Sequence, residues 1–351
     1  MSWHATLERA DLLLRPLGRD LLVLELPDGS LRTLRLVRIR SGLDHARAGS
    51  LLAAQPPASG PAGTALLVAA PHASAAAAEL LTAAGASLVT DDGMVALAGA
   101  PAAPASSAVD DDVLWSGSGG RGPLPWALRT VARRLMFLHP ARQAELARVC
   151  NVTQKTVSTA LSRLRAHGLA TAGPAGAEPV DLERLVSWWL SSYPAGEEIV
   201  AHYAAADPLA EQLSRAAAVL GAQRFALSGS AAADELAPWA RPTRAVLYCV
   251  EGRDLTAAGL VPAPAEAATL SLVVSSDPGL WMPRRPDGVP WATTGAGLEL
   301  ADPLQVLLDL QRDPGPDADQ ALRVLRAELL RGGGEQHVRE HLRACAGAAS
   351  P

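Results

Sequence analysis

The segment 143–164, QAELARVCNVTQKTVSTALSRL, is patterned as two short amphipathic helices that meet at one tight turn. Leu146, Ala147 and Val149 supply the inward face of the first helix. Asn151 stands where the turn needs a left-handed backbone, which Gly or Asn adopts at least cost. Pro140 suits the first turn of a helix, where a missing N–H has no partner to lose. Thr153 is a natural N-cap, its hydroxyl placed to accept a backbone N–H two or three residues on. In the second helix Val157, Leu161 and Leu164 recur at i, i+4 and i+7, forming one apolar stripe. The opposite face carries Lys155, Ser158, Thr159, Ser162 and Arg163, and no glutamate.

Short polar and basic groups on one helical face can reach base edges and phosphates without blocking approach to a groove. The pattern therefore predicts a DNA-binding helix-turn-helix. A preceding helix is expected from Trp126 to Leu138. After the second helix, Leu169–Ala172, the turn Gly173-Pro174-Ala175-Gly176 and Val180 outline a hairpin with no Lys or Arg, a weak phosphate clamp. A helix over 181–191, with Trp188 and Trp189 packing, would close a winged helix-turn-helix spanning 126–192.

Charge supports this placement. Between Arg121 and Ala170 stand nine basic residues (Arg121, Arg129, Arg133, Arg134, Arg142, Arg148, Lys155, Arg163 and Arg165) against one acid, Glu145, whereas the whole chain has 31 Lys+Arg against 36 Asp+Glu. A basic island in an acidic chain is the electrostatic footprint of a module that neutralises phosphates. The preference for arginine carries little information, because the Ala/Arg/Leu bias fits a GC-rich genome; Lys155 is the chain's one lysine. Gln154, Lys155, Ser158, Thr159, Ser162 and Arg163 are expected in the major groove, with Thr153 at their head. Arg142, Gln143 and Arg165 are expected on phosphates.

At 351 residues the chain is long enough for two or three domains, and 49% hydrophobic with 19% charged residues is a globular balance. No run of 18 apolar residues occurs, which argues against a membrane span. Acids interrupt the amino terminus too early for a signal peptide. Cys150, Cys249 and Cys345 are odd in number and far apart, fitting neither a disulfide framework nor a metal site, so a reducing cytoplasm, close to the nucleoid, is the expected location.

The expected fold class is α/β (α+β) and multidomain. Over 1–98, the strands 21–26 and 34–39 flank the turn Pro27-Asp28-Gly29, Thr64–Ala69 is a buried-type strand, and Ser74–Ala84 is an Ala-rich helix ended by Gly85. Ser87–Val89 and Met94–Leu97 flank the hairpin turn Asp91-Asp92-Gly93. From 99 to 125 the composition turns to Ala, Pro, Ser and Gly with the acidic run Asp110-Asp111-Asp112, a solvated linker. Over 197–345 strands are expected at 224–227, 245–250 and 270–274, and helices at 230–236, 303–310 and 318–330.

Two stretches resemble a known family. FALSGSAAADELAPW at 225–239 followed by RPTRAVLY at 241–248, and LELADPLQVLLDL at 298–310, resemble the C-terminal domain of AbiEi-type regulators, the antitoxins of type IV toxin–antitoxin systems. Residues 67–71, 80–86 and 91–93 are similar to the restriction-endonuclease-like unit that precedes the winged helix in larger members. The resemblance implies a DNA-binding transcriptional regulator, a repressor, with a nucleotidyltransferase-like C-terminal domain. It implies less directly a cognate toxin partner and a homodimer.

Catalytic chemistry has little to stand on. Leu227-Ser228-Gly229-Ser230 opening a helix resembles the phosphate-cradling turn of a nucleotidyltransferase. That reaction also needs paired carboxylates for Mg²⁺ on the next strand, which here reads Thr243-Arg244-Ala245-Val246-Leu247. Ser228, Gly229, Ser230 and Arg244 remain effector-binding candidates. In the N-terminal unit Glu25 and Asp28 face a strand offering only Arg35, Arg38 and Arg40, without the acid–lysine pair of a nuclease. His337 and His341 lack a third ligand, and Ser228 and Ser230 lack a base in sequence. Trp281, Trp291 and the Pro/Gly-rich loop 276–294 are candidates for a pocket or a partner surface, with core packing the default for both tryptophans. The expectation is a non-enzyme without cofactor or metal, with two alternatives: an antitoxin acting by protein contact alone, or a metal-dependent nuclease or nucleotidyltransferase.

Overall fold

The computed structural model describes residues 2–54, 63–99, 126–193, 198–239, 241–281, 293–294, 296–313, 315 and 317–331. Apart from Gly99, the linker expected at 99–125 lies outside them, as do Arg121, Trp291, His337 and His341. The chain is a mixture of helices and sheets. Its described residues divide into two compact units, each built from separated stretches: one from 1–118, 195–223 and 249–275, the other from 119–194, 224–248 and 276–351.

The first unit begins with α1 (Trp3–Arg9), β1 (Leu13–Pro16), β2 (Leu21–Glu25), β3 (Leu31–Arg38), α2 (His45–Ala53), β4 (Ala65–Ala70), α3 (Ala75–Ala83), β5 (Ser87–Thr90) and β6 (Val95–Ala96). The six strands form one sheet in sequence order. Pairing is parallel where the helices cross over, β3 with β4 and β4 with β5, and antiparallel at the outer pairs β1–β2, β2–β3 and β5–β6. Strand β2 buries alternate residues, Leu22 and Leu24, while the central β4 buries a continuous run from Leu67 to Ala70. That contrast is what one covered face and two covered faces require. Ser74 caps α3 by accepting from the Ala77 N–H, and Gly85 (φ +78°) follows its end.

Helix α1 was not evident from periodicity because its burial is tertiary. Trp3 and Leu7 are buried, and the Thr6 hydroxyl donates to the Thr90 carbonyl at 2.8 Å. Burial first, then the charges of His202 and Arg38, lower the His4 pKa to about 3, so the ring stays neutral and its Nε2 accepts the Val200 N–H at 3.1 Å.

The second unit takes over with α4 (Trp126–Leu135), α5 (Gln143–Val149), α6 (Gln154–Ala166), the strands β7 (Ala170–Gly173) and β8 (Gly176–Pro179), and α7 (Leu182–Ser192). Helix α4 stops at Leu135 rather than Leu138. Pro140 lies two residues before the Arg142 N-cap of α5 instead of within its first turn, because Ala141 is drawn into a bridge with Ala177. The chain then returns to the first unit with β9 (Ile199–Ala204) and α8 (Leu209–Leu220). The second unit gains β10 (Phe225–Ser228), α9 (Gly229–Leu236) and β11 (Ala245–Cys249, all but its last residue). The first unit gains β12 (Val261–Pro262) and β13 (Leu270–Val274), which flank β9 in antiparallel register. Helices α10 (Pro278–Trp281), α11 (Pro303–Arg312) and α12 (Ala318–Arg331) complete the second unit.

Asn151 adopts φ +49°, the left-handed conformation that the α5–α6 turn requires. Asn151→Ala is expected to destabilise the second unit by about 1 kcal/mol, the cost of a Cβ-bearing residue without a local polar group in that region. Asn151→Gly should cost less. Equilibrium denaturation of the two variants decides this, and equal losses would contradict it.

Candidate nucleic-acid interface

Helix α6 is held at both ends by its own backbone chemistry. The Thr153 hydroxyl accepts the Thr156 N–H at 3.2 Å, the expected N-cap. At the other end the Leu169 N–H donates to the Leu164 carbonyl (2.9 Å) and the Gly168 N–H to Arg165 (2.8 Å), with Gly168 at φ +64°. Those two bonds form a Schellman closure, which satisfies carbonyls that would otherwise be orphaned. Val157, Leu161 and Leu164 are buried, as the stripe predicted, and Ala160 is buried with them.

The β7–β8 hairpin is pinned beside α5. Ala141 and Ala177 exchange both backbone hydrogen bonds, at 2.8 and 2.9 Å. Gly176 makes that contact feasible: a Cβ there would stand 2.5 Å from the Ala141 carbonyl oxygen.

Arg142, Gln143, Thr153, Gln154, Lys155, Ser158, Thr159, Ser162, Arg163 and Arg165 are all exposed. Among the described residues the polar side of α6 is open to solvent. Two of these groups spend their hydroxyls locally, Thr153 on the cap and Thr159 on the Lys155 carbonyl at 3.0 Å. Arg142, Lys155, Arg163 and Arg165 make no ion pair among the described residues, while Arg15, Arg133, Arg215, Arg224 and Arg326 all do.

The basic island needs correction. Arg129, Arg133 and Arg134, counted toward it from sequence, are buried at 6%, 1% and 1% exposure and present no charge to a ligand. Arg133 donates through Nε to Asp302 Oδ2 at 2.6 Å and through a terminal nitrogen to Gln305 Oε1 at 3.3 Å, and Asp277 lies 3.7 Å away. Burial works to lower its pKa, and the Asp302 and Asp277 carboxylates more than offset that, so it stays charged. Its guanidinium also lies 5.2 Å from the Trp189 ring, and that of Arg129 lies 5.4 Å from Tyr193. A planar, always-charged fork suits such buried pairing. One exposed cation was missed because it falls beyond the counted stretch: Arg184, on the first turn of α7, donates to the His167 carbonyl at the C-terminal end of α6 at 3.4 Å.

The effector candidates separate. Ser228 is fully buried and donates to Asp309 Oδ2 at 2.5 Å. Gly229 is buried too, at φ +69°. Ser230 and Arg244 come together, the Ser230 hydroxyl donating to the Arg244 carbonyl at 2.8 Å. They line a shallow cleft with Asp234, Trp239, Arg241 and Asp313, where Asp313 lies 4.0 Å from the Arg244 guanidinium. Burial pushes the Cys150 thiol up to about 12, so it is a packing group and not a thiolate. Glu25 is paired with Arg15, and Asp28 accepts from the Ser30 N–H in its turn. No group of three or more His, Cys, Asp or Glu arranged to hold a metal occurs among the described residues. No helix among them is long and apolar enough to cross a membrane.

No family model, no curated protein and no solved structure matches the chain.

Two outcomes follow from the buried polar groups. Arg133→Ala should destabilise the second unit by about 3–5 kcal/mol, the cost of stranding a buried charge, measured by chemical denaturation; a loss below about 1 kcal/mol, typical of an exposed pair, would contradict it. Asp309 is the second. Burial raises its pKa from 3.8 to about 6, against the hydrogen bonds of Ser228 and Tyr248 and the charge of Arg312. A raised folded-state pKa means that protonation favours folding: the stabilisation is complete below pH 4 and is lost as pH rises through 6. The stability of wild type relative to Asp309→Asn should therefore fall from acid to neutral pH, and a pH-independent difference would contradict it.

Proposed function

We propose that the protein is a sequence-specific double-stranded DNA-binding regulator of transcription, acting as a repressor and without catalysis of its own. In this reading α5, α6 and the β7–β8 hairpin form a winged helix-turn-helix, and α6 lies in the major groove, whose width of about 12 Å admits one helix. Gln154, Lys155, Ser158, Thr159, Ser162 and Arg163 face base edges. Arg142, Gln143 and Arg165 meet phosphates, and Thr153 fixes the angle at which the helix begins.

One observation carries the reading: the outward side of α6 is solvent-exposed, contains no acid, and holds cations with no ion-pair partner among the described residues. An ordinary surface helix would neutralise such charges with i, i+4 glutamates. Membership of the AbiEi-type antitoxins, an endonuclease-like N-terminal unit, a nucleotidyltransferase-like C-terminal unit and a cognate toxin partner are parts of the proposal supported by sequence resemblance alone.

Lys155→Ala and Arg163→Ala should each weaken binding to the selected operator by about 1–3 kcal/mol if the lost contact is a bidentate base contact. Quantitative gel shifts on a duplex recovered by selection from a random pool provide the measurement. Unchanged affinity in both variants would overturn the placement of α6.

A further inference from the structure

The hairpin beside α6 is electrostatically unfit to hold a phosphate backbone. Its exposed residues are Thr171, Ala172, Pro174 and Ala175, with Val180 just beyond at 59% exposure. Its one ionisable group is Glu178, which a phosphate would repel. In winged modules the hairpin commonly adds a backbone contact beside the groove helix, and here that contact has to come from another element.

Arg163 and Arg165 stand on the last turn of α6 itself, and the cation placed beyond it, at the base of the hairpin, is Arg184. Its guanidinium bonds the His167 carbonyl at 3.4 Å and lies 3.8 Å from where a Cβ on Gly168 would be, at the base of the hairpin. The carboxylates nearest in sequence are engaged elsewhere. Asp181 caps α7 by accepting the Arg184 backbone N–H at 3.2 Å, and Glu183 is paired with Arg326 at 3.5 Å. Arg184 forms no ion pair among the described residues. A guanidinium has five N–H donors, and the single long bond to His167 occupies one.

We propose that Arg184, on the helix after the hairpin, is the phosphate clamp of this DNA-binding surface, in place of the hairpin itself. The inference rests on the reading of α6 as the groove helix and adds a contact to it. The alternative role for Arg184 is to cap the C-terminal end of α6, and the two roles separate by charge: a cap needs a donor, whereas a clamp needs a cation.

Phosphate contacts are independent of sequence, so the test uses a short random-sequence duplex and the full chain. Affinity is read by fluorescence anisotropy over a salt series, with thermal melting as a check on folding. Each phosphate neutralised contributes about 0.9 to the steepness of the log–log salt dependence. Arg184→Ala and Arg184→Gln should both flatten that slope by about 0.9, even though glutamine keeps an amide donor for His167. Arg253→Ala, which removes an exposed cation from the other unit, should leave it unchanged. Wild-type slopes in both Arg184 variants, or equal flattening by Arg253→Ala, overturn the clamp while leaving the α6 reading in place. A wild-type protein with no salt-dependent affinity for the duplex overturns both.

Discussion

The second unit depends on one buried charge. Arg133 projects from α4, the helix that α6 packs against, and its partner Asp302 is also the N-cap of α11, accepting the Leu304 and Gln305 N–H groups at 3.1 and 3.3 Å. The same carboxylate that makes the tightest ion pair to a buried guanidinium therefore also starts a helix. From Gln305 the hydrogen bonds run on to the Tyr248 hydroxyl (2.7 Å), from Tyr248 to Asp309 (2.7 Å), and from Ser228 to Asp309. On the other side Tyr193 donates to Asp277 at 2.9 Å. Taking an arginine out of water costs several kcal/mol unless carboxylates and acceptors surround it. Nε and one terminal nitrogen of Arg133 are hydrogen-bonded, and the other faces Asp277 at 3.7 Å without a hydrogen bond. Satisfying those demands constrains how α4, α7 and α11 meet. An apolar contact of the same area would tolerate sliding.

That arrangement divides the arginines of this region by task. Three on α4 are consumed in the interior, where Arg129 lies over Tyr193 and Arg133 over Trp189 beside Asp302 and Asp277. Those on α5, α6 and the start of α7 face solvent. Counting charge along the sequence adds the two sets together and overstates the surface field. The exposed set is smaller, yet no acid stands among its members on α6 itself. Local uncompensated charge, more than the total, draws a polyanion to a particular face.

Much of the fold was legible in the sequence, and the reasons are local. The turn at Asn151, the cap at Thr153, the helix ended by Gly85 and the hairpin turn from Gly173 to Gly176 each follow from chemistry within a few residues. What stayed hidden depends on distant partners. Helix α1 is held by Thr90 and Val200, and α2 buries only Ala48, so it has no apolar stripe to read. The fate of Arg133 turns on a residue 169 positions away. Nothing in the run Arg133-Arg134 separates an interior arginine from one that meets a phosphate. The ten candidate contact residues are all exposed, and for those on α6 the apolar stripe on the opposite side is the signal, whereas Arg184 belongs to the surface only through the fold of the hairpin that returns it to α6.

Lys155 is the chain's single lysine, which makes the central claim open to one direct measurement. An amine-selective acylating reagent should modify Lys155 and the α-amino group, with the latter serving as an internal reference. If the outward face of α6 enters the groove, a saturating operator duplex should slow Lys155 labelling strongly while the α-amino group reacts at its usual rate. Labelling of Lys155 at the same rate with and without bound duplex would contradict the account, because the groove helix cannot be both docked and open to the reagent.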